Sequence, residues 1–344
     1  MGPHPAVAEV RSSVRQCLGE FTPGDLVLAA CSGGADSLAL AAALAHEAPR
    51  GSLRAGGVTV DHGLQPGSAD RAVEVARVLA GLGLDPVERM TVSVAHGAGH
   101  GGPEAAARAA RYQALAEAVG RTGAKAVLLA HSREDQAENV LLGLARGSGP
   151  RSLAGMPPRR GSYRRPLLSV SRATLRAACT AQGLQPWDDP RYSDPAYAPA
   201  RVRHRALPAL EAALGPGVAA ALARSASQIR ADAEVLDDLA ASQAELARDS
   251  DGAWQAGLLA ALPAAIRTRV LRRAAIDAGC PPGALTARHI EALDSLLTSW
   301  HGQRWADLPG GVRGMRQCGK LLFTAGDRGE PAGYGKAEGP VGRE

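Results

Sequence analysis

Residues Ser32-Gly33-Gly34-Ala35-Asp36-Ser37 directly follow the apolar run 26–31. A buried strand, a glycine turn and a new helix make a cradle for phosphate. Glycine takes positive φ without penalty and lets the backbone approach an anion closely. The helix then points free N–H groups at that anion. Asp36 adds a carboxylate oxygen where a metal-bound polyphosphate needs one. No Gly-Lys-Ser/Thr follows, so the cradle is not of the Walker type. Three more polar sets stand at informative positions. Asp61-His62 ends the run 53–60 and either faces a ligand crevice or caps the next turn. Glu104, Arg108 and Arg111 share one helical face by i, i+4 and i+3 spacing. Such arginines hold phosphate or neutralise developing charge; the alternative is a surface ion pair worth under about 1 kcal/mol. His131 closes a strand, and Asp135, Glu138 and Asn139 fall on one helical stripe after it. Paired acids there bind a cation or accept a proton, or simply form a capped, solvated helix start. His96 and His100 flank glycines in a loop better suited to a lid than to a metal.

The elements that must position these groups alternate. Val7, Val10, Val14 and Leu18 predict a leading helix. Strands are expected at 26–31, 53–60, 87–92 and 126–131. Helices are expected at 36–46, 69–82, 103–119 and from Arg133 to before Gly147. This alternation predicts an α/β fold: a parallel sheet with helices on both faces. Ligands in such sheets sit beyond the C-terminal strand ends. Cys31, Asp61-His62 and His131 all lie at those ends. Residues 147–165, rich in Gly, Pro, Ser and Arg, read as loop. Ser171 caps a helix over 171–182, and 186–199 is irregular. Helices follow at 201–214, 218–246, 263–278 and 285–300, then a short hairpin within 304–322. A nucleotide-binding catalytic domain is therefore expected over 1–214. A smaller, mainly α-helical accessory domain is expected over 215–325, and a polar, disordered tail over 326–344.

The formal net charge of +5 is almost all arginine, since the only lysines are Lys125, Lys320 and Lys336. The excess suits a polyanionic partner such as RNA, and equally a GC-rich genome. Three basic clusters stand out: Arg159, Arg160, Arg164 and Arg165; Arg201, Arg203, His204 and Arg205; Arg267, Arg269, Arg272 and Arg273. Each is a candidate for RNA phosphates or a solvated face. The five scattered cysteines include no CxxC pair. That argues against a zinc ribbon, a thioredoxin-like motif or an iron–sulfur site and suggests reduced thiols in a cytoplasmic protein. No apolar run is long enough to span a bilayer, and residues 1–20 lack a signal core.

SGGADS in this strand–turn–helix setting resembles the PP-loop of the ATP pyrophosphatases, which split ATP into AMP and pyrophosphate. In chain order it is joined by VDHGL with Ser68 and Ala72, EAAARAARY and AHSREDQAENVLLGLARGSG. Leu153 to Met156, Arg165-Pro-Leu-Leu, Trp187 with Asp189-Pro190, Arg201-Val-Arg and Leu207-Pro208 follow. Together these resemble the tRNA(Ile)-lysidine synthetases, in a short form. Beyond Gly215 the likeness is limited to helical character and the Leu308-Pro309-Gly310-Gly311 turn.

The resemblance implies a PP-loop (adenine nucleotide alpha hydrolase-like) domain that uses ATP and Mg²⁺. ATP adenylates the C2 oxygen of the wobble cytidine in tRNA-Ile with a CAU anticodon, and the ε-amine of free L-lysine displaces AMP. It implies that Ser32, Gly33, Gly34, Ala35, Asp36, Ser37, Asp61 and His62 bind ATP, with Asp36 on Mg²⁺. Arg108 or Arg111 would steady developing charge, beside His131 as a catalytic residue. Asp135 and Glu138 would bind the lysine amine, one of them taking a proton. Arg201, Arg203 and Arg205 would meet tRNA, and a homodimer is left open. The chain departs from the family at Pro199 and Ala200, where Arg-Asn is frequent, and at Gln65, where a basic residue is common. Ser132-Arg133-Glu134 also replaces a His-polar-Asp stretch. The rivals are a tRNA cytidine thiolase, disfavoured by the missing cysteine pairs, an amidotransferase-coupled synthetase lacking its glutaminase, and a silent RNA-binding protein.

Overall fold

The computed structural model describes residues 2–325 apart from 62, 64–66, 93–101, 148, 188–193 and 195. His62, Gln65, His96, His100, Asp189 and the tail 326–344 thus lie outside the described residues. The expected alternation is present: α1 (Pro5–Leu18), β1 (Leu26–Ala30), α2 (Ala35–Glu47), β2 (Arg54–Asp61), α3 (Ser68–Gly81), β3 (Val87–Thr91), α4 (Gly102–Thr122), β4 (Ala126–Leu128) and α5 (Arg133–Ala145). Helix α1 buries Val7, Val10, Val14 and Leu18, the four residues its spacing selects.

Residues 147–165 are more ordered than a loop. They hold α6 (Pro150–Leu153), β5 (Arg159–Arg160) and β6 (Tyr163–Arg164), ahead of α7 (Arg172–Ala181). Elements of two to four residues are too short to show a period. The sheet order is β3-β2-β1-β4-β6-β5, parallel except for β5 against β6. Side chains alternate across β1. Val27 and Ala29 join α1, α2 and α7 on one face, while Leu26 and Leu28 meet Leu115 and Ala118 of α4 on the other.

The expected helix 201–214 is interrupted. It consists of α8 (Ala198–Arg201), a π-helical turn over Val202–Ala206, and α9 (Leu207–Leu214). Helix α10 (Val218–Ala247) follows. The chain divides into two compact units, residues 1–230 and 231–344, and the division falls inside α10. The second unit contains β7 (Trp254–Gln255), α11 (Ala256–Ala261), α12 (Ala264–Asp277), α13 (Ala287–Thr298), β8 (Ala306–Leu308), β9 (Val312–Gln317) and β10 (Lys320–Ala325). It is smaller and helix-rich, and it also carries an antiparallel sheet of order β7-β10-β9-β8 where the sequence shows one hairpin. Its core gathers Leu259, Val270, Leu271, Leu293 and Leu321.

Several arginines of two basic clusters make internal bonds, while Arg159, Arg160 and Arg273 remain exposed. Arg267 chelates Asp294 at 2.6 and 3.2 Å, Arg269 meets Asp237 at 2.9 Å, and Arg272 donates to the Leu285 and Pro282 carbonyls. Arg159 and Arg164 both pair with Glu20, and Arg165 is buried. All five cysteines are free thiols, with Cys31, Cys179 and Cys280 buried. Among the described residues no single helix is long and apolar enough to cross a membrane.

Candidate active site

The loop after β1 is fixed by its own side chains. The Ser37 hydroxyl donates to the Gly34 carbonyl at 2.9 Å and accepts the Ser32 N–H at 3.2 Å. The Trp187 N–H donates to the Gly33 carbonyl at 2.9 Å. Gly33 has φ +86°, and a Cβ there would stand 2.8 Å from Val75 Cγ2, so only glycine fits. Gly34 is the N-cap of α2, and no side chain occupies the cap. The first N–H groups of α2 are therefore open to an anion.

Asp36 stands in the first turn of α2. Burial and the nearby Asp135 carboxylate push its pKa up to about 6, against the pull of Arg172 and Arg203. A carboxylate so placed gains from a cation. Among the described residues no three His, Cys, Asp or Glu side chains converge on a metal position. One carboxylate plus substrate phosphates is nevertheless an ordinary donor set for Mg²⁺, so the residues fit that ion.

Helix α5 brings the other acids. Ser132 is its N-cap, and Asp135 Oδ2 accepts the Ser132 N–H at 2.7 Å and its hydroxyl at 3.0 Å, closing a capping box. Asp135 Oδ1 takes Arg172 Nη2 at 2.7 Å and Arg203 Nη2 at 3.0 Å. Glu138, only 4 % exposed, takes Arg203 Nε at 2.8 Å and Nη2 at 2.9 Å, and Arg172 Nη2 at 3.3 Å. Arg172 Nε lies 3.7 Å from Asp36 Oδ2, which links the loop to the acid pair. Burial raises the Asp135 pKa, but Arg172, the Ser132 N–H, His131 and Arg203 outweigh it and hold the carboxyl below its usual range. A cavity of about 270 Å³ opens beside the cluster, lined by Glu134, Glu138, Arg172, Arg203 and Glu211 among others.

A positive lobe adjoins it. Arg165 Nη2 donates to the Tyr112 hydroxyl at 3.1 Å and Nη1 to the Pro157 carbonyl at 2.9 Å. Arg108 and Arg111 stack near the Tyr112 ring at 5.1 and 5.6 Å. Burial, helped by Arg165, Arg111 and Arg108 and opposed by Asp135, lowers the His131 pKa to about 4. The imidazole is neutral at neutral pH. His131 Nδ1 and the Nε atoms of Arg111 and Arg165 are buried without a hydrogen-bond partner in the described structure.

The structure brings together Ser32 to Ser37, Asp135, Glu138 and, through shared charges, His131 with Arg108 and Arg111. Asp61 ends β2, the parallel neighbour of β1, and its Oδ1 accepts the Gly63 N–H at 2.9 Å, which is the turn-capping alternative. Arg201 and Arg205 are exposed, but Arg203 is not on their surface: the correction is that it clamps the acid pair. Two residues of helix turn a side chain through roughly 200°, so Arg203 faces away from Arg201 and Arg205; a π-helical turn, in which the Leu207 N–H reaches back five residues to Val202, spans this run. Arg172 was missed, yet one signal existed. It is the first residue of α7, where a cation opposes the helix dipole unless acids hold it.

The PP-loop domain profile matches residues 7–210, and the TilS substrate binding domain profile matches 255–319. The tRNA(Ile)-lysidine synthase of Thermobifida fusca is 56% identical over 324 residues, covering 94% of this chain and 99% of that protein. That of Streptomyces coelicolor is 54% identical, covering 95% of this chain and all of its own length. A U34-tRNA thiolase from Methanococcus maripaludis overlays with a TM-score of 0.53 at 18% identity, covering 65% of this chain and 79% of that one. That last likeness is one of fold.

Proposed function

The chain belongs to the tRNA(Ile)-lysidine synthase family, and from that membership we propose how its residues divide the work. The enzyme is a ligase that forms a carbon–nitrogen bond on tRNA at the expense of ATP. In our reading the wobble cytidine of CAU-anticodon tRNA-Ile is adenylated at its C2 oxygen. The ε-amine of free L-lysine then displaces AMP to give lysidine, with pyrophosphate as the other product.

The open N–H groups at the head of α2 hold the pyrophosphate portion of ATP, and Ser37 keeps the loop in the shape that presents them. Mg²⁺, held by Asp36 and the phosphates, would shield the charge of the leaving pyrophosphate. Arg108 and Arg111 meet negative charge on the transferred adenylyl group. His131, neutral and with a buried Nδ1 to spare, orients a substrate polar group without adding charge.

Asp135 and Glu138 turn oxygens toward one cation position, filled in this structure by the Arg203 guanidinium. The lysine ammonium offers the same kind of N–H donors, and we assign it to that position by exchange with Arg203. A lysine amine has a pKa of about 10.4 in water and must lose a proton before it attacks. Glu138 receives it in our assignment, because departure of Arg203 frees its Oε2, whereas Asp135 keeps one oxygen on Arg172 and the other on the helix cap. Arg201 and Arg205 keep their assignment to tRNA. The compartment is the cytoplasm, and a homodimer is tested by mass in solution.

The observation that carries this reading is the placement of Asp36 between the open helix start and the arginine-bound acid pair. The test is ATP, Mg²⁺, lysine and a minor tRNA-Ile transcript with purified protein, followed by digestion and mass spectrometry of the wobble nucleotide. Added lysine mass is expected with the native chain and none with Asp36→Ala. Turnover retained in that variant refutes the role of Asp36, and pyrophosphate release that ignores lysine favours the thiolase rival.

A further inference from the structure

Aromatic residues make up only 3% of the chain, yet two of its four tryptophans, Trp300 and Trp305, leave one short loop behind α13. Each carries a guanidinium from β9. Arg316 lies 5.2 Å from the Trp300 ring centroid, and Arg313 lies 4.7 Å from that of Trp305. Arg304 approaches Trp305 as well, at 5.9 Å. Arg313 and Arg316 stand three residues apart and therefore on opposite faces of β9, Arg316 on the face of Val312.

The loop holds these groups still. Trp300 Nε1–H donates to the Gln303 carbonyl at 3.3 Å. The Gln303 side chain in turn accepts the His301 N–H at 2.7 Å and donates to the Ser299 carbonyl at 2.9 Å. Arg313 is tied to Asp307 at 2.9 Å, and Arg316 to the Leu296 and Leu297 carbonyls that end α13. None of this closes the surface: Trp300 remains 48% exposed, and Arg304 is exposed. The core of this unit takes in Ala306, Leu308 and Val312 and leaves Trp300 out. A rigid indole left half open and backed by one guanidinium, with the exposed Arg304 in the same loop, has the chemistry of a stacking platform for bases with a cation for phosphate.

We propose that Trp300 and its 299–305 loop, backed by Arg316 of β9, form a base-stacking surface for unpaired nucleotides of the RNA substrate. The proposal rests on the reading of the chain as a tRNA-modifying ligase and gives one surface of its second unit a recognition mode. An acidic protein partner would answer the charge but not the open ring.

The test uses the full chain and a minor tRNA-Ile transcript. Binding is read by fluorescence anisotropy over a salt series, and turnover by the KM for tRNA and for ATP. Trp300→Ala is expected to weaken binding about tenfold or more and to raise the tRNA KM in step, with the ATP KM as the internal control. Trp300→Phe, which keeps a ring, recovers most of the loss. Arg304→Ala lowers the salt slope by about one phosphate contact, whereas Trp300→Ala leaves the slope in place. Thermal melts of each variant guard against lost folding. Unchanged tRNA affinity in both Ala variants, while the native chain makes lysidine, overturns the surface. Loss of binding to anionic lipid vesicles in place of RNA overturns it too. A native chain that binds tRNA through Trp300 yet makes no lysidine supports the surface and refutes the enzymatic reading.

Discussion

Replacing Asp36 with asparagine is expected to abolish lysidine formation and to make the protein more stable. The Asp36 side chain is 25% exposed, and its pKa is pushed up to about 6, first by burial and then by the Asp135 carboxylate. An aspartate in an unfolded chain titrates near 3.9. Between about pH 4 and pH 6 the folded protein therefore keeps a proton that the unfolded chain has lost. Stability falls as pH rises through that window and stays lowered above it. A displacement of about two pH units, at about 1.4 kcal/mol each, corresponds to about 3 kcal/mol near pH 7.5. Asparagine keeps the shape and removes the charge. Arg172 stays anchored by Asp135 and Glu138. The variant should melt several degrees higher near pH 7.5, since about 1 kcal/mol moves a domain of this size by about 2–4 °C. Near pH 4 the native carboxyl is protonated and the gap should close. Urea unfolding and thermal melts at both pH values, run beside the mass-spectrometric assay, check this. A variant no more stable than the native chain near pH 7.5, or a difference that ignores pH, refutes the reasoning.

Two further outcomes follow from the same geometry. Gly33→Ala places a Cβ 2.8 Å from Val75 Cγ2 at φ +86°; it should cost about 1–3 kcal/mol and raise the KM for ATP. Adding Val75→Ala relieves only the collision, so stability recovers in part by urea titration. Arg203→Ala leaves buried Glu138 short of two charge-assisted hydrogen bonds. It should destabilise by about 1–3 kcal/mol and lower the KM for lysine, which no longer has to displace a guanidinium, and Arg203→Lys, which keeps charge but not the planar fork, should restore less than half of the stability.

The legible parts of the site are local in sequence. Ser32 to Ser37 declare a strand–turn–helix because glycine spacing and an apolar run act within a few residues. Asp135 and Glu138 share a stripe because a helix repeats every 3.6 residues. The short strands β5, β6 and β7 were not legible, since two residues carry no period. The tryptophan–arginine pairs of the second unit arise from a turn and a strand that meet only after folding.

By its residues alone the chain set out a phosphate cradle, an acid pair and the alternation that carries both to one edge of a parallel sheet. Those features need only neighbours along the backbone. Folding alone decided that Arg172 and Arg203, separated from α5 by some 30 to 70 residues, would close on Asp135 and Glu138. It alone made Asp36 a carboxyl that clings to its proton. Desolvation and Coulomb energy depend on distance through space and on excluded water, and neither quantity exists until the chain has packed.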